Sequence, residues 1–172
     1  MGFDVYVAGY PLEPHERKQV NKLLREFHLW FSNSSANCTA IIGLEIPNAQ
    51  IDLLLLKDNR LIVVELKNYS GPIMADCSSE DKLWTGLSDG KQVSLGTTNP
   101  YFQARRERLS LAKFLRKGII RDQKRTTTAS YSEPDPLFGK IVDNVSAWVV
   151  LNDDAAWEVT GSPPEVVPGS TF

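Results

Sequence analysis

Asn48 to Gly71 reads NAQIDLLLLKDNRLIVVELKNYSG, and the architecture follows from how these residues pair. Two apolar runs, Ile51 to Leu56 and Leu61 to Val64, are dominated by branched side chains and flank the polar tetrapeptide Lys57, Asp58, Asn59, Arg60. That is the pattern of a β-hairpin. Its near-continuous hydrophobicity predicts strands covered on both faces. Asp52, Glu65 and Lys67 interrupt the pattern at the hairpin's open end.

With Asp58 and Asn59 as the central turn residues, Leu56 faces Leu61 and, by the same count, Asp52 faces Glu65. Directly opposed β-carbons lie roughly 4.5 to 5.5 Å apart, and like charges so placed are destabilising unless something neutralises them. Lys67 follows Glu65 by two residues and so shares its face, because side chains alternate along a strand. Gln50 falls opposite Lys67 in this register and is a candidate to orient it. A hard, oxygen-seeking cation such as Mg²⁺ suits a pair of carboxylates, and a lysine beside it can position or deprotonate water and offset charge in a phosphorane-like transition state. The reaction class implied is phosphodiester hydrolysis. The plainer alternative is a set of strand-end charges, with a solvated ion pair contributing about 0–1 kcal/mol.

An Asp on one strand followed by Glu-Leu-Lys on the next resembles the core of the PD-(D/E)xK nucleases. The fuller pattern, Gln50-Ile51-Asp52 with Val64-Glu65-Leu66-Lys67-Asn68-Tyr69-Ser70-Gly71, is similar to the nuclease-related domain family, NERD. Asn99-Pro100 followed by Gln103 resembles that family's Asn-Pro-x-x-Gln signature at the start of a helix. The likeness runs from about Glu16 to Leu151 and implies an α/β, restriction-endonuclease-like fold: a mixed β-sheet flanked by helices. It further implies Mg²⁺ or Mn²⁺ held by Asp52, Glu65 and the carbonyl of Leu66, with Lys67 and Glu16 as further catalytic residues. Gln103 is expected to bind substrate or to bridge to the cluster. The implied activity is that of a metal-dependent deoxyribonuclease, with DNA as partner, RNA left open, and a helicase domain or partner as in similar proteins. A nucleic-acid-binding module with the same fold and little catalysis is the alternative.

The remaining chain fits this frame. Its 172 residues suit one globular domain, taken as residues 1–151, with 152–172 as a Pro-rich tail or linker. Cys38 and Cys77 have no metal-knuckle spacing and read as reduced and structural. No signal peptide or membrane-length apolar run is present, so a soluble cytoplasmic protein without membrane contact is expected. His15 and His28 are the only histidines and have no companion at ligand spacing, which argues against a histidine-based triad. No Gly-rich phosphate loop of the Walker kind is present. Oligomeric state is not encoded in any pattern here.

Net charge is −2, but Tyr101 to Arg125 carries nine Lys or Arg against two acids, so this segment holds +7 and the remainder −9. On a helical wheel beginning at Asn99-Pro100, Ala104, Leu111, Leu115 and Ile119 fall on one side. Gln103, Arg106, Ser110, Lys113 and Lys117 fall on another, a candidate surface for a phosphate backbone. Gly118 is expected to end that helix, and Arg121 to Gly139 to form a basic loop that could clamp DNA. Pro14 opens an earlier helix whose buried stripe is Val20, Leu23, Leu24, Phe27 and Phe31, with Glu16 continuing it. An acid there is equally favoured by the helix dipole alone.

Overall fold

The computed structural model describes residues 2–9, 11–31, 37–125, 141 and 144–161, with 119–125 as backbone only. The hairpin is present with the expected turn: β3 (Ala49–Lys57) and β4 (Arg60–Leu66) pair antiparallel, with Leu56 facing Leu61, but the ladder ends where Leu53 faces Val64, so the expected direct pairing of Asp52 with Glu65 is not part of it. Asp58, in the turn, takes a φ of 53°, a conformation that Asp tolerates better than most residues.

The other elements build around it. β1 (Phe3–Val7) leads into helix α1 (Pro14–Phe31) and returns as β2 (Cys38–Ile46), which lies parallel to β1 and antiparallel to β3. After β4 come β5 (Gly71–Asp76), β6 (Thr85–Ser88) and β7 (Lys91–Ser94), then helix α2 (Pro100–Arg125), β8 (Val145–Val150) and β9 (Ala155–Thr160). β8 joins β4 in parallel, giving a five-stranded mixed sheet of order β1-β2-β3-β4-β8.

Both faces of the hairpin are covered, which explains its unbroken hydrophobicity. On one face Val20 and Phe27 of α1 pack with Leu53, Leu55, Ile62, Val64 and Leu66. On the other, Tyr101, Ala104 and Leu111 of α2 pack with Ile51, Leu54, Leu61 and Val63. Nine buried apolar side chains come from β3 and β4 alone. Each contributes about 1.5–3 kcal/mol on burial, enough for this hairpin to offset the cost of desolvating the acids at its open end.

Three features depart from the sequence reading. Strands β5, β6, β7 and β9 form a separate four-stranded sheet of order β7-β6-β5-β9 instead of extending the first. Ala155–Thr160, assigned to the tail, is therefore part of the fold, pairing in parallel with β5. Helix α2 also runs through Gly118 to Arg125, because glycine lowers helix propensity without forbidding it and no helix-ending left-handed φ occurs there. The basic loop expected after the helix and the tail beyond Gly161 fall, from residues 126 and 162 respectively, outside the described residues.

The sheet bends where the site begins. In β2 Ala40 and Ile42 face α1 while Leu44 and Ile46 face α2, and in β3 Leu53 and Leu55 face α1 while Ile51 faces α2. Strict alternation would keep each set on one side, so both strands turn over between these positions. Gly43 and Asp52 occupy the turning point, opposite each other in a register that runs Ile42 to Leu53 and Leu44 to Ile51. Gly43 adopts a φ of 64°, which a residue with a side chain takes only at a cost.

Candidate active site

Asp52 sits at that bend and is only 4% exposed. Its Oδ2 accepts a hydrogen bond of 2.9 Å from the Leu66 N–H, so the carboxyl is fixed across the open end of the hairpin. Glu65, 2% exposed on β4, receives the Lys67 ammonium on Oε1 at 2.6 Å. The Lys67 N–H in turn donates to the Val150 carbonyl at 2.9 Å, anchoring the lysine to β8. The three groups singled out from the hairpin register thus meet at one end of the five-stranded sheet.

Their electrostatics are those of desolvated charges in mutual contact. Burial first, then the charge of Glu65, pushes Asp52 up to about 7, against the opposing effect of the Leu66 hydrogen bond. Burial also raises Glu65, although Lys67 pulls the other way. For Lys67, burial alone favours the neutral amine, but contact with Glu65 outweighs it and the net shift is upward. The lysine is therefore held as a cation.

Gln103, in the first turn of α2, closes the cluster from the other side. Its Oε1 accepts from Lys67 Nζ and from Thr98 Oγ1, each at 3.1 Å, and its Nε2 donates to Glu107 Oε1 at 3.2 Å. The lysine's partner is thus Gln103 and not Gln50. Gln50 pairs with Glu45 of β2, because the β3–β4 ladder stops at Leu53 and Val64 and the bend at Asp52 carries the preceding residues away from Lys67.

Glu107 has no place in the sequence reading. It is 6% exposed and lies against Glu65, and burial followed by the Glu65 charge pushes it up to about 9. Glu65 Oε2 and Glu107 Oε2 are both buried, and among the described residues neither has a hydrogen-bond donor as a partner. A proton on Glu107 turns that contact into a hydrogen bond, so Glu107 is the neutral member at neutral pH. A signal does exist in the chain: Glu107 lies three residues after Ala104 and four before Leu111, on the apolar side of α2 and one turn from Gln103.

From α1, Glu16 raises both Asp52 and Glu65 by its charge. Its Oε2 accepts from the Glu13 N–H at 2.8 Å, while the Glu13 carbonyl receives the Arg17 N–H. Glu16 is thus also the back-reaching half of a capping arrangement at the helix start. One turn on, Gln19 donates from Nε2 to the Lys67 carbonyl at 2.9 Å and to Asn152 Oδ1 at 2.8 Å. Asn152 reaches Asn68 and Ser70, tying the loop after β8 to the segment after Lys67. No periodicity marks Gln19 or Asn152, whose partners are distant in sequence.

Asn99 is a structural clamp. Buried at the start of α2, it accepts the Tyr101 N–H on Oδ1 and donates from Nδ2 to the carbonyls of Asp76 and Lys82 at 2.7 and 2.6 Å. Nearby, the Tyr69 hydroxyl donates to the Leu95 carbonyl at 2.9 Å. Gly96 is required there, since a β-carbon at this position would stand 2.7 Å from the Tyr69 hydroxyl. On the outer side of α2, Arg106, Lys113 and Lys117 are exposed, with Arg106 ion-paired to Glu80.

Hard oxygen donors and a desolvated pair of acids, Asp52 and Glu65, fit a divalent cation. Among the described residues no group of three or more His, Cys, Asp or Glu side chains is arranged to hold a metal ion, so protein side chains would supply at most the Asp52 and Glu65 pair. Such sparse protein ligation is usual for Mg²⁺, which keeps several waters. Among the same residues no helix is long and apolar enough to cross a membrane. The model of the nuclease-related domain family, NERD, matches residues 12–151. No curated protein and no solved structure matches the chain.

Proposed function

Since the chain belongs to the nuclease-related domain family, and since its two paired acids and a lysine converge at the end of a buried hairpin, we propose that it is a metal-dependent nuclease hydrolysing phosphodiester bonds of DNA. The contact of Lys67 with Glu65 beside Asp52 carries this reading. Asp52 and Glu65, with the Leu66 carbonyl, would hold Mg²⁺ or Mn²⁺. When bound, such an ion neutralises the acids and stabilises charge on a phosphoryl oxygen.

The chain's own residues do the rest. Asp52 is oriented by the Leu66 N–H, and Glu65 by Lys67. Lys67, kept protonated by Glu65, provides positive charge where the pentavalent phosphorus develops negative charge, and orients the attacking water. Glu16, in the first turn of α1, assists in ordering that water. Arg106, Lys113 and Lys117 engage phosphates away from the scissile bond, with Gln103 at the junction between them and the cluster.

Cleavage of plasmid, single-stranded DNA and RNA in Mg²⁺ or Mn²⁺ tests the reading directly. The wild type should cut DNA, whereas Glu65→Ala and Lys67→Ala should lose at least about a hundredfold in rate. Equal activity in all three proteins removes the site. Salt-sensitive binding without cleavage in the wild type points instead to a nucleic-acid-binding module.

A further inference from the structure

The Gln103 amide has two distinguishable ends, and its surroundings choose between them. Lys67 Nζ and Thr98 Oγ1 meet the oxygen, while a Glu107 oxygen meets the nitrogen. Rotating the amide by half a turn would set its NH₂ against an ammonium and lose the donor to Glu107, so this orientation is the one the neighbours enforce. Thr98 stands in the loop before α2, and Glu107 one turn beyond Gln103 on the helix. Neither is linked to the chemistry by the hairpin motif.

We propose that Glu107 and Thr98 are positioning residues: Glu107 fixes the Gln103 amide with its oxygen toward Lys67, Thr98 anchors that amide in place, and together they hold the lysine ammonium over the acid pair. The inference rests on Lys67 belonging to a hydrolytic site. It adds two residues that touch neither the reacting phosphate nor the cation. Burial strengthens the effect: Glu107 is 6% exposed, so its bond to Gln103 is shielded from water. An unlocked Gln103 would sample the flipped state, in which Lys67 loses one of its two side-chain partners and spends part of its time out of position.

The test is steady-state cleavage by the full chain. Glu107→Leu should lower kcat about ten- to a hundredfold with KM unchanged, the usual range for outer partners of a catalytic group, and Glu107→Gln, which can still accept from Gln103, should recover most of the rate. Thr98→Val should lower kcat about two- to tenfold, as expected for loss of one hydrogen bond, with Thr98→Ser restoring it. Thr98 is exposed, so this arm decides the question even if Glu107→Leu fails to fold.

In a Gln103→Ala background the Thr98→Val loss should disappear, because Thr98 acts through that amide, and the Glu107→Leu loss should shrink to the part carried by its contact with Glu65. Wild-type kcat in Thr98→Val, or losses that add fully to that of Gln103→Ala, would overturn the proposal while leaving the active-site reading intact. A wild type that cleaves no nucleic acid removes that reading, and this inference with it.

Discussion

Asp52 is a buried acid whose charge opposes folding. Its pKa in the folded protein, about 7, lies above the ordinary 3.8, and that of Glu107, about 9, above 4.5. A group whose pKa is raised on folding contributes stability that is complete below its unfolded value and is lost as pH rises through its folded value. The metal-free protein should therefore lose stability between about pH 4 and pH 9, first through Asp52 and then through Glu107. Asp52→Asn keeps an acceptor for the Leu66 N–H and removes the first titration. At pH 8 without divalent cation it should be more stable than the wild type by about 1–3 kcal/mol in urea unfolding, yet inactive. Equal or lower stability would show that Asp52 is not under strain. At this scale Asp52, Glu65 and Lys67 were legible as charges interrupting apolar strands at the hairpin's open end, although the bend at Asp52 replaces the direct pairing that the turn alone would give. Glu107 was only half legible, since an acid on an apolar stripe signals burial without naming its partner. Gln19 was not legible, because its partners Lys67 and Asn152 are brought to it by packing.

Among the elements, the start of α2 bears the most, since Asn99 both caps the helix and clamps the segment between β5 and β6. Replacing it with Ala removes a cap and leaves the part-buried hydrogen bonds to the Asp76 and Lys82 carbonyls without their donor. The expected destabilisation is about 2–4 kcal/mol, well beyond the roughly 1 kcal/mol of a cap alone. Thermal unfolding of the wild type, of Asn99→Asp, which keeps the cap acceptor but not the amide donor, and of Asn99→Ala separates the two parts; an Asn99→Asp variant as stable as the wild type would sink the clamp. The Asn-Pro pair predicted where α2 begins, because proline suits a first helical turn. Its end was misread at Gly118, because glycine is a weak stop unless the backbone turns left-handed there.

For the molecule as a whole, charge is segregated: a chain of net −2 carries +7 on the segment that forms most of α2. Substituting Arg106, Lys113 and Lys117 with Gln should lower the slope of log affinity against log salt by about one for each phosphate no longer neutralised. The Arg106 change should contribute least, because Glu80 already neutralises it. A slope unchanged in the triple variant would move the nucleic-acid surface elsewhere. From the amino-acid sequence alone came the hairpin, its register from Leu53–Val64 to the turn, the two flanking helices and the choice of Asp52, Glu65 and Lys67, since each depends on local periodicity or a short turn. Packing of distant parts decided that the later strands form a second sheet, that the sheet bends at Gly43 and Asp52 and so ends the direct pairing before Glu65, and that Glu107 joins Gln103 at the cluster. Those outcomes depend on which distant surfaces pack together, and side-chain pairs separated by dozens of residues leave no period in the chain to read.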